Sequence, residues 1–266
     1  MKFKTILLAY APLVAVLTSP LSQAEILDVT IKGSDAIFLA GRTDLIIPDA
    51  DQPWTGPGDY LIRHDIPTPE EIKETLPPIF SIVAGDIIRA LDPAVGGISF
   101  FNGVGDPFYG PSGNGLSGSN LTSLGGISGY VGPQGALTGV FLSDAIPSAG
   151  APGTLDFSPL GLGIDFLALA PGIGQVFYIG DGKTSLNVFQ TFLAPVGATR
   201  FALGIPDGFG FNGPAGAYDD NDGNYRIRIG INDVPTPDPH DVPEPSNLAL
   251  LLLGLVGIWV GRRRRS

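Results

Sequence analysis

The stretch Tyr225-Arg-Ile-Arg-Ile-Gly230 alternates apolar and charged side chains, the pattern of a strand with one face in a core and the other in water. Working outward from it, short apolar runs recur at Leu27–Ile31, Ala36–Leu39, Asp86–Ala90, Ile98–Phe101, Gly135–Leu142, Gln175–Tyr178, Val188–Leu193 and Arg200–Ile205. They are punctuated by many of the chain's 38 glycines and 25 prolines, as strands are by turns. This spacing predicts an all-β fold, an antiparallel β-sandwich. One short helix is expected, with Thr68 as N-cap, Pro69 at the first helical position, Glu70 and Glu71 in the first turn, and Pro77-Pro78 as its end. It divides an N-terminal extension, 25–78, from the main sandwich, 79–232.

Both ends read as addresses rather than as parts of the fold. Lys2 and Lys4 precede the apolar run Ile6 to Leu17, and Ser22-Gln23-Ala24 offers small residues for a cut after Ala24, so 1–24 is expected to be a signal peptide used by the Sec translocon and signal peptidase. At the other end a proline-rich stalk, 233–241, leads to Val242-Pro243-Glu244-Pro245, then to the uncharged stretch 248–260, then to Arg262, Arg263, Arg264 and Arg265. The apolar stretch suits a short membrane helix whose arginines hold the cytoplasmic end. Segment 242–266 resembles the PEP-CTERM sorting signal of bacteria. That resemblance implies an exosortase as processing partner, anchoring at the inner membrane before processing, and a final place at the cell surface or outside the cell.

Six of the 15 Lys and Arg and one of the 26 Asp and Glu lie in these two address segments, leaving nine basic and 25 acidic side chains between them. A nucleic-acid partner is disfavoured, because phosphate binding needs a basic face. Carboxylates in excess suit divalent cations or simple solubility. The chain has no cysteine, so disulfides and thiol chemistry play no part.

The densest polar cluster is Tyr218-Asp-Asp-Asn-Asp-Gly-Asn224, preceded by Asp207 and a glycine-rich loop. Such a loop offers several oxygens to calcium, or it is a turn leading into the strand. An EF-hand is ruled out by register: with Gly223 at its sixth position, Tyr218 would fall at the first and Ile229 at the twelfth. The segment from Val83-Ala-Gly-Asp86 through Tyr109-Gly-Pro111, Gly135-Ala-Leu137 and Ala194-Pro-Val-Gly197 to Gly230 is similar to the small calcium-dependent, galactose-binding lectins of pseudomonads. The resemblance implies calcium held by Asp207, Asp220, Asn221 and the carbonyls of Tyr109 and Ala217, with a sugar touching Asp207, Asp220, Asn221 and Thr122. The sequence departs from the lectins by the insertion Phe209 to Gly216, by Asp220 in place of an asparagine, and by Thr122 and Gly125 where the sugar-contacting His and Gln would fall.

Catalysis finds no support. His64 and His240 are the two histidines, and neither belongs to a triad or zinc pattern. Gly172-Ile-Gly174 lacks the third glycine of a dinucleotide motif. Trp54 and its neighbours suit a sugar platform or, more simply, a cover for a sheet edge. The expected protein is therefore not an enzyme but an exported envelope or matrix protein with a calcium-dependent, lectin-like domain for exopolysaccharide or another glycan. The alternative is a structural coat protein whose acidic loop is a turn or a structural calcium site.

Overall fold

The computed structural model describes residues 24–45, 75–100, 107–218 and 221–233. The proposed signal peptide up to Gln23, the Thr68 helix, Trp54, both histidines, the stalk beyond Asp233 and the tail lie outside the described residues.

The alternating stretch is part of the longest strand. β13 (Asp222–Ile231) buries Tyr225, Ile227, Ile229 and Ile231 and turns Arg226 and Arg228 outward. β1 (Glu25–Lys32) pairs antiparallel with it along its whole length, from Glu25 opposite Ile231 to Lys32 opposite Asn224. The stretch 25–78 thus contributes a full strand to the sheet, and Ile37, Phe38 and Leu39 from it are buried in the same core.

On its other flank β13 meets β4 (Val95–Ser99) near its start and β3 (Ile87–Ala90) near its end. The sheet continues through β10 (Thr191–Leu193) to β8 (Ala168–Leu169). A second sheet has the order β2 (Ile79–Ser81), β11 (Arg200–Gly204), β7 (Thr138–Leu142), β9 (Val176–Tyr178). A third joins β12 (Asn212–Gly213), β5 (Asn114–Leu121) and β6 (Tyr130–Gln134).

Aromatic rings hold the three sheets together. Phe177 of β9 packs on Phe141 and Phe201 within its own sheet, and reaches Phe192 of β10 at 5.0 Å between centroids. Phe157 links Tyr130 of β6 to Tyr178 of β9. Each fully buried ring contributes about 1.5–3 kcal/mol from the area it removes from water, so this chain of rings fastens the layers together with the aliphatic side chains around it.

The all-β expectation holds, with departures in detail: Gly135–Leu142 shortens to β7, and the strand expected from Ile98 starts earlier and ends at Ser99, as β4. Ala36–Leu39 is not a strand: Ile37–Leu39 forms a 3-10 turn, because a short apolar run buried on every side carries no period to separate the two. Val188–Leu193 shortens to β10, the backbone turning left-handed at Asn187 (φ 62°). The pairing is not wholly antiparallel, since β8 with β10 and β12 with β5 run parallel. Among the described residues no helix is long and apolar enough to cross a membrane.

Candidate functional site around Asp207 and Asn221

β11 ends at Gly204, and the chain then makes a long excursion before β13 begins at Asp222. Asp207 opens this excursion and Asn221 closes it. The structure brings the two side chains together: Asn221 Nδ2 donates to Asp207 Oδ2 at 2.8 Å and to the Gly33 carbonyl at 3.1 Å. Asp207 Oδ1 accepts from the Gly208 amide at 2.7 Å. The Tyr218 hydroxyl donates to the Ile205 carbonyl and accepts from the Asp207 amide. The turn after β1, the end of β11 and the start of β13 are thereby locked to one another.

Gly33 sits so close that a Cβ there would fall 2.8 Å from Asn221 Cβ. Phe211 and Ala217 hold left-handed backbone, φ 55° and 60°, a conformation that non-glycine residues adopt at a cost. This strain lies within the loop that the network closes.

Asp207 and Asn221 are only 2% and 8% exposed. Because Asn221 Nδ2 faces two oxygens, its amide orientation is fixed by the network, and its Oδ1 is left buried without a hydrogen-bond partner. A buried orphan acceptor requires an explanation, and water or a cation supplies one.

The other expected ligands divide. The Tyr109 carbonyl accepts from the Ile98 amide at 3.0 Å, and its ring stacks on Phe100, which in turn meets Phe211. Ala217 lies in the loop itself, beside Tyr218. Asp220 lies outside the described residues. Thr122 is exposed and bonds through its amide and hydroxyl to the Gly213 carbonyl, so β5 carries it to the edge of the same loop. Gly125 turns away against Arg42 and Pro147. Among the described residues no group of three His, Asp or Glu is placed to hold a metal.

Sequence reasoning did not find Gly33, whose carbonyl meets an asparagine 188 positions away. Nor did it find the second aspartate–asparagine pair, where Asn232 Nδ2 donates to Asp86 Oδ1 at 2.8 Å and Asn232 Oδ1 accepts from the Ile87 amide. A separate cleft of about 690 Å³ lies between the β5–β6 pair and the 157–166 loop, walled by Pro133, Leu162, Ile164 and Phe166, with Asp165 at its margin. The Asp165 carboxylate is engaged by the Ser185 amide and hydroxyl.

Residues 241–265 match the PEP-CTERM protein-sorting motif. No curated protein and no solved structure matches the chain, so the likeness to galactose-binding lectins gains no relative in its favour. Val242, Pro243, Glu244, Pro245 and Arg262 to Arg265 fall inside or at the edge of the matched tail. This tail marks an exported protein, anchored at the membrane and then processed by an exosortase.

Proposed function

We propose that the exported domain is a structural component of the cell surface or extracellular matrix, and that the Asp207–Asn221 centre is a closed calcium site that stiffens the loop between them. Burial carries this reading. An ion that presents itself to a sugar keeps coordination positions open to the ligand's hydroxyls, whereas both described carboxylate and amide groups here are shut off from solvent. Asn221 Oδ1, buried and without a partner, is the oxygen a calcium ion would use, and Asp207 supplies charge beside it. Asp220 stands next to Asn221 in the sequence and is the natural further ligand. Of the described residues assigned to sugar contact, Thr122 alone is exposed, which supports a structural ion over a lectin. The reading includes no catalysis.

The test is the melting temperature of the full chain in chelator and in calcium, because a ligand bound by the folded state alone stabilises it. Calcium at about a hundred times its dissociation constant should raise the midpoint by about 5–10 °C. Asp207→Ala should remove that rise, and a glycan screen in calcium should stay blank. A glycan that binds in calcium and is lost in Thr122→Ala would instead establish the lectin reading. No rise with calcium would leave the loop a turn held by the Asn221 and Tyr218 hydrogen bonds without an ion.

A further inference from the structure

We propose that the end of the sandwich at which the described chain enters and leaves is a bilayer-contacting rim, seated on the lipid surface while the tail anchors the protein. The inference rests on the sorting tail and not on the calcium reading.

Three observations carry it. First, entry and exit coincide: Glu25 at the start of β1 lies opposite Ile231 at the end of β13, and Asn232 is fixed beyond it to Ile87 and Asp86. Second, two turns project beside this exit. The turn Val83–Asp86 and the turn Pro195–Ala198 are joined through the Gly85 amide to the Ala194 carbonyl and the Ala194 amide to the Asp86 carbonyl, both at 2.9 Å. Their tips are open, since a Cβ at Gly85 or Gly197 would meet nothing within 4 Å. They carry Val83 and Val196, 46% and 94% exposed, and Ile87 and Leu193 stand behind them as an exposed cross-strand pair. Asp86, the acidic residue of the first turn, is buried and bonded. Third, the membrane-directed stretch begins at Leu248, and even fully extended the intervening residues 234–247 reach no more than about 50 Å. The rim is thus the face from which the tether runs to the bilayer, and its projecting side chains are aliphatic and uncharged.

Contact of this kind is driven by apolar area, with side chains entering the headgroup boundary. Glu25 and Asp144 are exposed acidic charges at this end and Asp233 follows at the exit; Arg200, just beyond the second turn, is half-buried and donates to the Ser143 and Ala145 carbonyls, and no lysine or arginine lies in either turn. Neutral lipid is therefore the preferred surface, and anionic lipid weakens the contact.

Because the chain has no cysteine, Val83→Cys, Val196→Cys and Leu186→Cys each create a single labelling site. Leu186 is 84% exposed on the turn ahead of β10, away from Leu193. The full chain is anchored by its tail in phosphatidylcholine vesicles, and a polarity-sensitive probe at each site is read with headgroup-level lipid quenchers. Quenching and a blue shift at 83 and 196, with the 186 probe as wet as in buffer, is the expected result. Partial replacement of phosphatidylcholine by phosphatidylglycerol should reduce both signals. Probes at 83 and 196 as unquenched as the probe at 186 would overturn the proposal. So would equal quenching at all three, which would mean adhesion without orientation. A shift that needs no lipid and grows with protein concentration would make the rim a contact between copies and would overturn it as well.

Discussion

Asn221 and Asn232 stand at opposite ends of β13, and each ties the strand to an aspartate with an amide-to-carboxylate bond of 2.8 Å. By residue type and distance the two pairs are alike. Both aspartates are buried, Asp207 at 2% and Asp86 at 3%; the asparagines differ, since Asn221 is buried whereas Asn232 is exposed, so that deleting the Asn232 side chain opens Asp86 to water. Water can replace a lost bond at Asn232. At Asn221 it cannot reach the carboxylate and carbonyl that would be left behind. The worth of the pair is therefore set by the desolvation of what remains after removal, and not by the length of the bond.

Removing each asparagine breaks the comparison most directly. Asn221→Ala removes the one amide that donates to both Asp207 Oδ2 and the Gly33 carbonyl, and should cost about 3 kcal/mol, against about 1 kcal/mol or less for Asn232→Ala. Urea unfolding with an unchanged slope gives both numbers. Equal losses would mean that burial does not separate the two ends.

Gly33→Ala sharpens the same point without deleting any hydrogen-bonding group. Its new methyl would fall 2.8 Å from Asn221 Cβ and 2.9 Å from the Asn221 carbonyl oxygen, so the start of β13 must shift. A cost of about 1–3 kcal/mol is expected, as for overpacking in a tight core. Hydrogen exchange should quicken at Asn221 and Gly223, while the Asn232 end stays protected. Uniform acceleration along β13 would show that the strand responds as one unit and has no independently pinned ends.

How far the sequence revealed this arrangement depended on periodicity. β13 and β1 were legible because half-buried strands write their alternation into the chain. β5 was not: Asn114-Gly-Leu-Ser-Gly-Ser-Asn-Leu121 has no apolar alternation, and its pairing with β6 shifts register between Asn114 and Gly118. Asp207 and Asn221 were nominated together through a family resemblance, and the structure does bring them together. What no local signal carried was the role of Gly33, since a glycine before Ser-Asp reads as an ordinary turn until the strand from the other end of the chain is laid beside it. Asn232 falls at the last position of the expected sandwich, and nothing local to it signals that its amide closes the exit of the fold on Asp86 and Ile87.

A third aspartate sits on the same turn as Gly33, and there burial acts against the ionised carboxylate itself. Asp35 is buried; burial raises its pKa above the ordinary 3.8, while the Thr75 hydroxyl and the Lys32 amide, which donate to it, pull it partly back. A carboxyl raised in the folded state binds its proton more tightly than in the unfolded chain. Its contribution to stability is complete below pH 3.8 and is lost as the pH rises through the folded value. Asp35→Asn keeps an oxygen acceptor but has nothing to titrate. The stability of the natural protein, measured relative to this variant by urea midpoints from pH 3 to 7, should therefore decline with rising pH in that window and level off above it. This tilt is the smallest of the expected effects, and it locates the cost on one side of Gly33: the turn holds an ionised group against its preference at Asp35, while at Asn221 it offers a neutral amide its two acceptors. A difference curve that is flat, or that rises with pH, would show the hydrogen bonds from Thr75 and Lys32 to outweigh burial, and the two sides of the turn would then be stabilised in the same way.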